Sequence, residues 1–290
     1  MYIKQHTLKE EIELEGVGLH TGNKSKVRIK PAPDNYGIKF VRVDLPEKPV
    51  IEADIDNVVE YERSTTLGKG GVKIYTVEHL MSALSGLQID NAIIEIEGNE
   101  PPAMDGSSIE YVKAIKKVGT QEQQANREFY VIEEPIHYRD DEKEVDLAAM
   151  PFDGFRVTVI VDYNSPVLSV QHATLVDMKD YETEIAPART FCFIDEVLPL
   201  FKKGLIKGGS LDNSVVLVDR ELSEEEISEL KAVVGDMDVA LQKGVLNQSG
   251  LRFPNEPARH KLLDLIGDFS LLGTPLKAQI MAVKIGRAHV

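Results

Sequence analysis

Residues 76–98 read TVEHLMSALSGLQIDNAIIEIEG, a helical pattern followed directly by a strand pattern. In its first part, apolar residues recur at i, i+3, i+4 and i+7, the spacing of one helix face: Val77, Leu80, Met81 and Leu84. Thr76 precedes this stripe and is a residue type that caps helices. The second part, NAIIEIEG, is typical of a strand. The segment therefore predicts a helix capped by Thr76 and a strand after it.

Similar patterns lie on both sides of this segment. Strand-like runs precede it at residues 24–32 (KSKVRIKPA) and 37–44 (GIKFVRVD). The pattern then recurs, because strand-like runs at 127–138, 144–150 and 155–163 are followed by helical segments around 190–203, 223–234 and 257–272. Strands and helices grouped in this way predict an α+β fold that is built twice.

A polar stretch separates the two parts of the chain. Residues 116–128, KKVGTQEQQANRE, contain a Gly and several Gln and are typical of a linker. We expect an N-terminal α+β domain over residues 1–126 and a C-terminal one over 127–290, the latter with an inserted helical segment near 222–243. A cleft between two such domains is a preferred place for a ligand site.

The composition excludes several classes of protein. The chain has 290 residues and a net charge of −15, whereas a nucleic-acid binder needs a basic surface. It has no signal-like apolar run and no stretch near the roughly 18 apolar residues of a membrane span, so we expect a cytoplasmic protein. One cysteine, Cys192, can form neither an internal disulfide nor a thiolate metal site alone. Any metal must therefore be held by His and carboxylates.

Two helical segments carry side chains that could bind such a metal. In residues 259–272, RHKLLDLIGDFSLL, one helical face carries three polar residues at i, i+4 and i+8: His260, Asp264 and Asp268. A His and a carboxylate one turn apart can share a divalent ion, and His79 could complete the three protein ligands of a catalytic zinc. Two alternatives stay open: an ordinary His–Asp pair on a helix, and a Glu78–His79 pair that only caps and packs a helix start.

Five motifs occur in one order along the chain: GVGLHTG (16–22), TVEHLMSALSGLQIDNAIIEIEGNEPPAMDGSS (76–108), ARTFCF (188–193), KGGSLDN (207–213) and LRFPNEPARHKLLDLIGD (251–268). With them the chain resembles the UDP-3-O-acyl-N-acetylglucosamine deacetylases, zinc enzymes of lipid A synthesis, from residue 1 to about residue 284. The resemblance implies two similar two-layer α/β sandwich domains, with helices packed between the sheets and the active site at the domain junction.

The resemblance also assigns roles to particular residues. It implies a zinc ion bound by His79, His260 and Asp264, with Glu78 as the base that takes a proton from the attacking water. It also implies that the Thr190 hydroxyl donates to the oxyanion and that the Asp268 carboxylate orients a general-acid histidine. Lys261 would contact the substrate phosphates, and Phe191 would form a wall of the acyl-chain passage.

The chain departs from the family near its last residues. An alignment without gaps from Asp264 places Arg287 where the family has its general-acid histidine, and His289 comes two positions later. Because IGRAHV is what one reading frame of a common sequencing adapter encodes, we expect the reading frame to leave its gene after Lys284. The insertion resembles the family branch that is fused to a 3-hydroxyacyl-[acyl-carrier-protein] dehydratase, and we expect that second domain to be absent from this chain.

The leading hypothesis is therefore zinc-dependent hydrolysis of the acetamide of UDP-3-O-acyl-N-acetylglucosamine, to give acetate and UDP-3-O-acyl-glucosamine. The expected partner is this small-molecule substrate, with no nucleic acid and no transmembrane segment. An alternative is a non-catalytic binder of nucleotide-sugar or acyl ligands, because the general acid is missing. A zinc peptidase is a weaker alternative, since the sequence contains no H-E-x-x-H motif.

Overall fold

The structure is a computed structural model that describes residues 3–61, 64–202, 208–234, 244–247 and 249–284. Within these ranges, none of the helices combines the length and the apolar character that crossing a bilayer requires.

The first half of the described chain contains ten strands, two α-helices and a 3₁₀ turn at Ile55–Asn57. The strands are β1 (Lys4–Leu8), β2 (Ile12–Val17), β3 (Lys24–Pro31), β4 (Ile38–Arg42), β5 (Val50–Glu52), β6 (Val58–Glu60), β7 (Thr66–Lys69), β8 (Val72–Ile74), β9 (Ala92–Glu97) and β10 (Thr120–Asn126). The helices are α1 (Glu78–Gly86) and α2 (Ile109–Val118).

The described part of the second half contains nine strands, four α-helices and a 3₁₀ turn at Met178–Asp180. The strands are β11 (Tyr130–Val131), β12 (Ile136–Asp140), β13 (Val145–Met150), β14 (Phe155–Val161), β15 (Gln171–Leu175), β16 (Phe191–Phe193), β17 (Val215–Val218), β18 (Gly244–Val245) and β19 (Leu276–Val283). The helices are α3 (Tyr181–Glu184), α4 (Ile194–Lys202), α5 (Glu224–Val234) and α6 (Glu256–Ser270).

The two large sheets have the same topology. The strand order is β2-β3-β9-β4-β5 in the first sheet and β12-β13-β19-β14-β15 in the second, where β11 also pairs with β19. In each sheet the central strand is antiparallel to one neighbour and parallel to the other. Each central strand also follows a helix directly, since α1 precedes β9 and α6 precedes β19. The predicted α+β fold and its internal repetition are therefore confirmed.

Side chains from both sheets and from α1 and α6 form one hydrophobic core. Buried and more exposed residues alternate along β3 and β14, so each sheet turns one face inward to the core. The buried side chains of this core include Val27, Phe40, Ile94, Leu80, Leu84, Val157, Val159, Ile280, Leu262 and Ile266. Both helices therefore lie between the two sheets, where each buries nearly all of its surface.

The helices α1 and α6 are in close contact at Gly267. A Cβ atom at this position would lie 2.2 Å from the carbonyl oxygen of Glu78 and 2.9 Å from its carbonyl carbon. Only glycine fits at this position, because the atoms that a Cβ would meet belong to the backbone of Glu78. The first turn of α1 is thereby held against the middle of α6.

Two local predictions, and the start of α5, can be compared with the structure. Thr76 does not cap α1: its backbone is left-handed (φ 53°) and its hydroxyl donates to Glu100 Oε1 at 2.7 Å, so the predicted cap is wrong. The helical segment predicted from residue 190 begins instead with strand β16. Ser223 does cap α5, because its Oγ accepts from the backbone N–H of Glu226 at 3.2 Å while its own N–H donates to the Glu226 carboxylate.

The polar stretch at residues 116–128 is largely structured. It contains the last turn of α2 and all of β10, which pairs antiparallel with β1 from the start of the described chain. The prediction of a linker missed this strand because its partner lies more than 100 residues away in sequence. We propose that the two halves divide between β10 and β11, close to residue 126.

We expect Gly267→Ala to destabilise the protein. Replacing a helical glycine with alanine gains about 1 kcal/mol from helix propensity, but overpacking against backbone costs about 1–3 kcal/mol or more. Since the Cβ would lie 2.2 Å from a carbonyl oxygen, the second effect should prevail by about 2 kcal/mol. Chemical denaturation measures the difference. Gly209→Ala is the control, because among the described residues no atom outside its two chain neighbours lies within 4 Å of the added Cβ. Equal stability of the two variants would contradict this packing.

Candidate metal centre

Three buried side chains from α1 and α6 converge at the contact between these helices. The Nε2 atoms of His79 and His260 lie 3.5 Å and 3.2 Å from the same carboxylate oxygen, Oδ1 of Asp264. The two imidazole rings meet edge to face, with centroids 4.9 Å apart. One ligand atom from each residue lies within 4.8 Å of the others. The structure thus brings together the three residues that the sequence predicts as metal ligands.

The hydrogen bonds of His260 suit a metal ligand. Its Nδ1 lies 3.1 Å from the carbonyl oxygen of Ala188, which can only accept, so Nδ1 carries the proton. The lone pair is then left on Nε2, which faces Asp264 and His79. Burial lowers the pKa of His260 to about 3, so the ring is neutral at physiological pH. Two imidazoles and one carboxylate are the donor set of many catalytic zinc sites, and the residues present therefore fit a zinc ion.

Glu78 lies next to these ligands but outside the convergent group. It is buried, and its Oε2 accepts a hydrogen bond from the backbone N–H of Thr65 at 3.0 Å. Burial raises the pKa of Glu78 well above its usual range, and the nearby carboxylates of Asp264 and Asp268 add to the effect. A carboxylate whose pKa is raised is a stronger base than an ordinary carboxylate.

Asp268 lies one helical turn beyond Asp264 and is linked to Glu78 through Thr65. The Thr65 hydroxyl donates to Asp268 Oδ1 at 2.6 Å, while the Thr65 N–H donates to Glu78. Burial, with a smaller contribution from Asp264, raises the pKa of Asp268 to about 7. This role of Thr65 was not predicted, because nothing in the sequence around it points to a bridge between Glu78 and Asp268. Arg287 and His289, the positions considered for the general acid, lie outside the described residues.

Lys261 is buried inside the site. Its Nζ donates to Asp264 Oδ2 at 2.9 Å and lies 5.8 Å from the centre of the Phe191 ring. Burial alone would lower the pKa of Lys261, but the Asp264 carboxylate outweighs this effect and raises the pKa, so the side chain is charged. The family resemblance implied that Lys261 contacts the substrate phosphates, whereas its ion pair with Asp264 was not predicted.

Thr190 directly precedes β16, and Phe191 is the first residue of that strand. The backbone N–H of Thr190 donates to the carbonyl of Gly106 at 2.8 Å, and its carbonyl accepts from Val215 at 2.8 Å. The Phe191 ring lies edge-on to His260, with centroids 6.4 Å apart, and packs against Tyr163 at 5.5 Å. An apolar wall therefore borders the proposed ligands on this side.

Two further contacts beside the site were not predicted from the sequence. Ser108, at the start of α2, donates its hydroxyl hydrogen to the carbonyl of His79 at 2.7 Å. Arg189 and Glu256 form a buried ion pair at 2.8 Å, next to Thr190 and at the start of α6. The residues of both contacts lie within the motifs 76–108, 188–193 and 251–268. Their place in these motifs was the only signal for them in the sequence.

Comparison with known proteins agrees with these features. The family model described as LpxC, UDP-3-O-acyl N-acetylglycosamine deacetylase, matches residues 5–232 and 229–289. The bifunctional enzyme LpxC/FabZ of Chlorobaculum tepidum is 50% identical over 99% of this chain, and that of Bacteroides thetaiotaomicron is 47% identical over 98%. The chain spans 62% of the length of each of these two relatives.

The chain also matches relatives that are named as deacetylases alone. The UDP-3-O-acyl-N-acetylglucosamine deacetylase of Teredinibacter turnerae is 44% identical, and the match covers 98% of this chain and 86% of the relative. The family match and the matches to these relatives extend over both halves of the chain. The chain therefore belongs to the UDP-3-O-acyl N-acetylglycosamine deacetylase family.

Proposed function

We propose that this chain is a zinc-dependent deacetylase that hydrolyses the acetamide of UDP-3-O-acyl-N-acetylglucosamine, a step of lipid A biosynthesis. The observation that carries the proposal is the convergence of His79, His260 and Asp264 with Glu78 beside them, in a chain of this family. The substrate follows from the names of the relatives, several of which are UDP-3-O-acyl-N-acetylglucosamine deacetylases. The products are acetate and UDP-3-O-acyl-glucosamine.

His79, His260 and Asp264 would hold the zinc ion. When bound, zinc supplies a Lewis acid that polarises the acetamide carbonyl and lowers the pKa of a water. Glu78 is the base that accepts the proton of the attacking water. Its raised pKa brings the carboxylate closer to the range in which a general base works well, and the N–H of Thr65 fixes one of its oxygens.

Two other groups act on the carbonyl oxygen and on the leaving amine. The Thr190 hydroxyl donates to the oxyanion as the carbonyl becomes tetrahedral, and the two backbone hydrogen bonds of Thr190 hold its position in advance. A general-acid histidine would give its proton to the nitrogen of the leaving amine. Asp268 is the carboxylate that would favour the charged form of such an imidazole.

The substrate carries a diphosphate at one end and an acyl chain at the other. Lys261 and Phe191 offer matching surfaces side by side, an ammonium group and an aromatic wall whose centre lies 5.8 Å from it. In this proposal Lys261 contacts a phosphate oxygen while it remains close to Asp264, and Phe191 borders the acyl chain. The net charge of −15 makes such a local cation necessary for an anionic substrate.

Release of acetate from UDP-3-O-acyl-N-acetylglucosamine by the zinc-loaded chain tests the reaction. We expect turnover that is lost on chelation and restored by zinc. Tight binding of the substrate by the zinc-loaded chain without any turnover would instead support the alternative of a non-catalytic binder.

Metal binding and proton transfer can be separated by substitution. We expect His79→Ala and Asp264→Ala to lose zinc, because each removes one of three ligands. Glu78→Gln should keep its zinc and lose about 10²–10⁴-fold in kcat, because it removes only the base. Metal analysis after dialysis and acetate release measure the two effects. His137→Ala is the control, as this histidine is 57% exposed on the outer strand β12. Unchanged zinc affinity in His79→Ala would contradict the ligand assignment.

The role of Lys261 can be tested with two inhibitors that differ only in the diphosphate. If Lys261 contacts a phosphate, Lys261→Met should weaken inhibition by UDP about tenfold and leave inhibition by uridine unchanged. If it serves only Asp264, both inhibition constants should stay as they are while zinc is held less tightly. Zinc content is measured in the same samples.

A further inference from the structure

Arg189 and Glu256 form a hydrogen-bonded pair that is closed to solvent. The side chains are 4% and 1% exposed. Glu256 Oε1 accepts from Nε of Arg189 at 2.8 Å and from its backbone N–H at 3.0 Å, while Oε2 accepts from Nη2 at 3.1 Å. Oε2 also accepts from the backbone N–H of Arg252 at 2.6 Å. We call this pair, with its backbone contacts, the Arg189–Glu256 clamp.

The clamp joins two segments that both carry residues of the site. Arg189 lies between Ala188, whose carbonyl accepts from His260 Nδ1, and Thr190, the proposed oxyanion donor. Glu256 begins α6 and precedes His260 by one helical turn. The backbone N–H of Arg189 itself bonds to Glu256, so the segment 188–190 is tied to α6 at the backbone and not only through a flexible side chain.

Two further hydrogen bonds hold the Arg189 guanidinium. Nη2 donates to the carbonyl of Gly250 at 2.7 Å, and Nη1 donates to Ser249 Oγ at 3.3 Å. A buried charge pair of this kind is costly to desolvate, so it adds little stability by itself. Its planar, bidentate geometry instead fixes orientation, since both partners can satisfy their hydrogen bonds in only one arrangement.

The clamp affects the proposed metal centre through one hydrogen bond, which His260 Nδ1 donates to the carbonyl of Ala188. A carbonyl that accepts from Nδ1 keeps the proton on that atom and the lone pair on Nε2, and such partners of metal-binding histidines typically matter 10–100-fold in metal affinity. If segment 188–190 moved away from α6, the His260 ring would lose its orientation. Thr190 would move with the same segment.

We propose that the Arg189–Glu256 clamp is a positioning device for the proposed deacetylase site. Through Ala188 it sets the tautomer and orientation of His260, and through Thr190 it places the oxyanion donor. Neither residue of the clamp touches the substrate or the zinc ion. The inference rests on the proposed function for Thr190, whereas its consequence for zinc affinity needs no substrate.

Two variants test the clamp at different severity. Glu256→Gln turns one carboxylate oxygen into an N–H₂ group that faces N–H donors, so it should disrupt the clamp. Arg189→Lys keeps the cation and the backbone bond but loses the planar fork, so it should act more weakly. We expect Glu256→Gln to release zinc to a chelator about 10–100-fold faster and to lower kcat about tenfold or more, with KM within about twofold of the unaltered chain. Arg189→Lys should shift both quantities in the same direction.

Glu226→Gln provides the control, because Arg220 and Glu226 form a similar bidentate pair at 2.8 and 2.9 Å in the partly exposed segment around α5. It should leave zinc release and kcat unchanged. Thermal unfolding of all variants separates positioning from stability. A lower melting temperature in both clamp variants, with zinc release and kcat unchanged, would overturn the proposal. Failure of both clamp variants to fold would also overturn it. If the unaltered chain binds zinc without turnover, the proposed function fails while zinc release still tests the clamp.

Discussion

The contact between α1 and α6 is the constraint on which the site depends. His79 belongs to the first turn of α1, whereas His260 and Asp264 belong to α6, so neither half of the chain holds all three of the proposed ligands by itself. At Gly267 the two helices meet backbone to backbone, and this distance decides whether the imidazole of His79 can reach the carboxylate of Asp264. The close packing of the core holds the two helices in this arrangement.

The two carboxylate oxygens of Asp264 face different partners. Oδ2 accepts from the Lys261 ammonium group, while Oδ1 faces the Nε2 atoms of both histidines. The lysine therefore compensates part of the negative charge that Asp264 brings into a buried region, where Glu78 and Asp268 lie close by. The environment raises the pKa of both Glu78 and Asp268, which is the expected response of acids that share a poorly solvated space.

Much of this fold and part of the site could be predicted from the sequence. Helical spacing placed His260, Asp264 and Asp268 on one face, and strand alternation indicated two α+β units. Spacing could not bring His79 to that face, because the two helices are far apart in the chain; only the family resemblance did. Contacts such as Thr65 with Asp268, 203 residues apart, leave no local pattern. Thr76 failed as a cap because a tertiary partner, Glu100, took its hydroxyl.

The place of β19 in the second sheet has a consequence for the order of folding. This strand follows every other strand of its sheet along the chain, yet it lies at the centre and pairs with β11, β13 and β14. During synthesis the first sheet can close around β9 once residue 97 has emerged, whereas β12–β13 and β14–β15 remain two separate hairpins until β19 joins them. The helix α6 directly precedes that strand. The proposed metal centre therefore cannot assemble before α6 has been synthesised. Until β19 joins the second sheet, its two hairpins have unpaired strand edges, which are a general hazard for pairing with other chains.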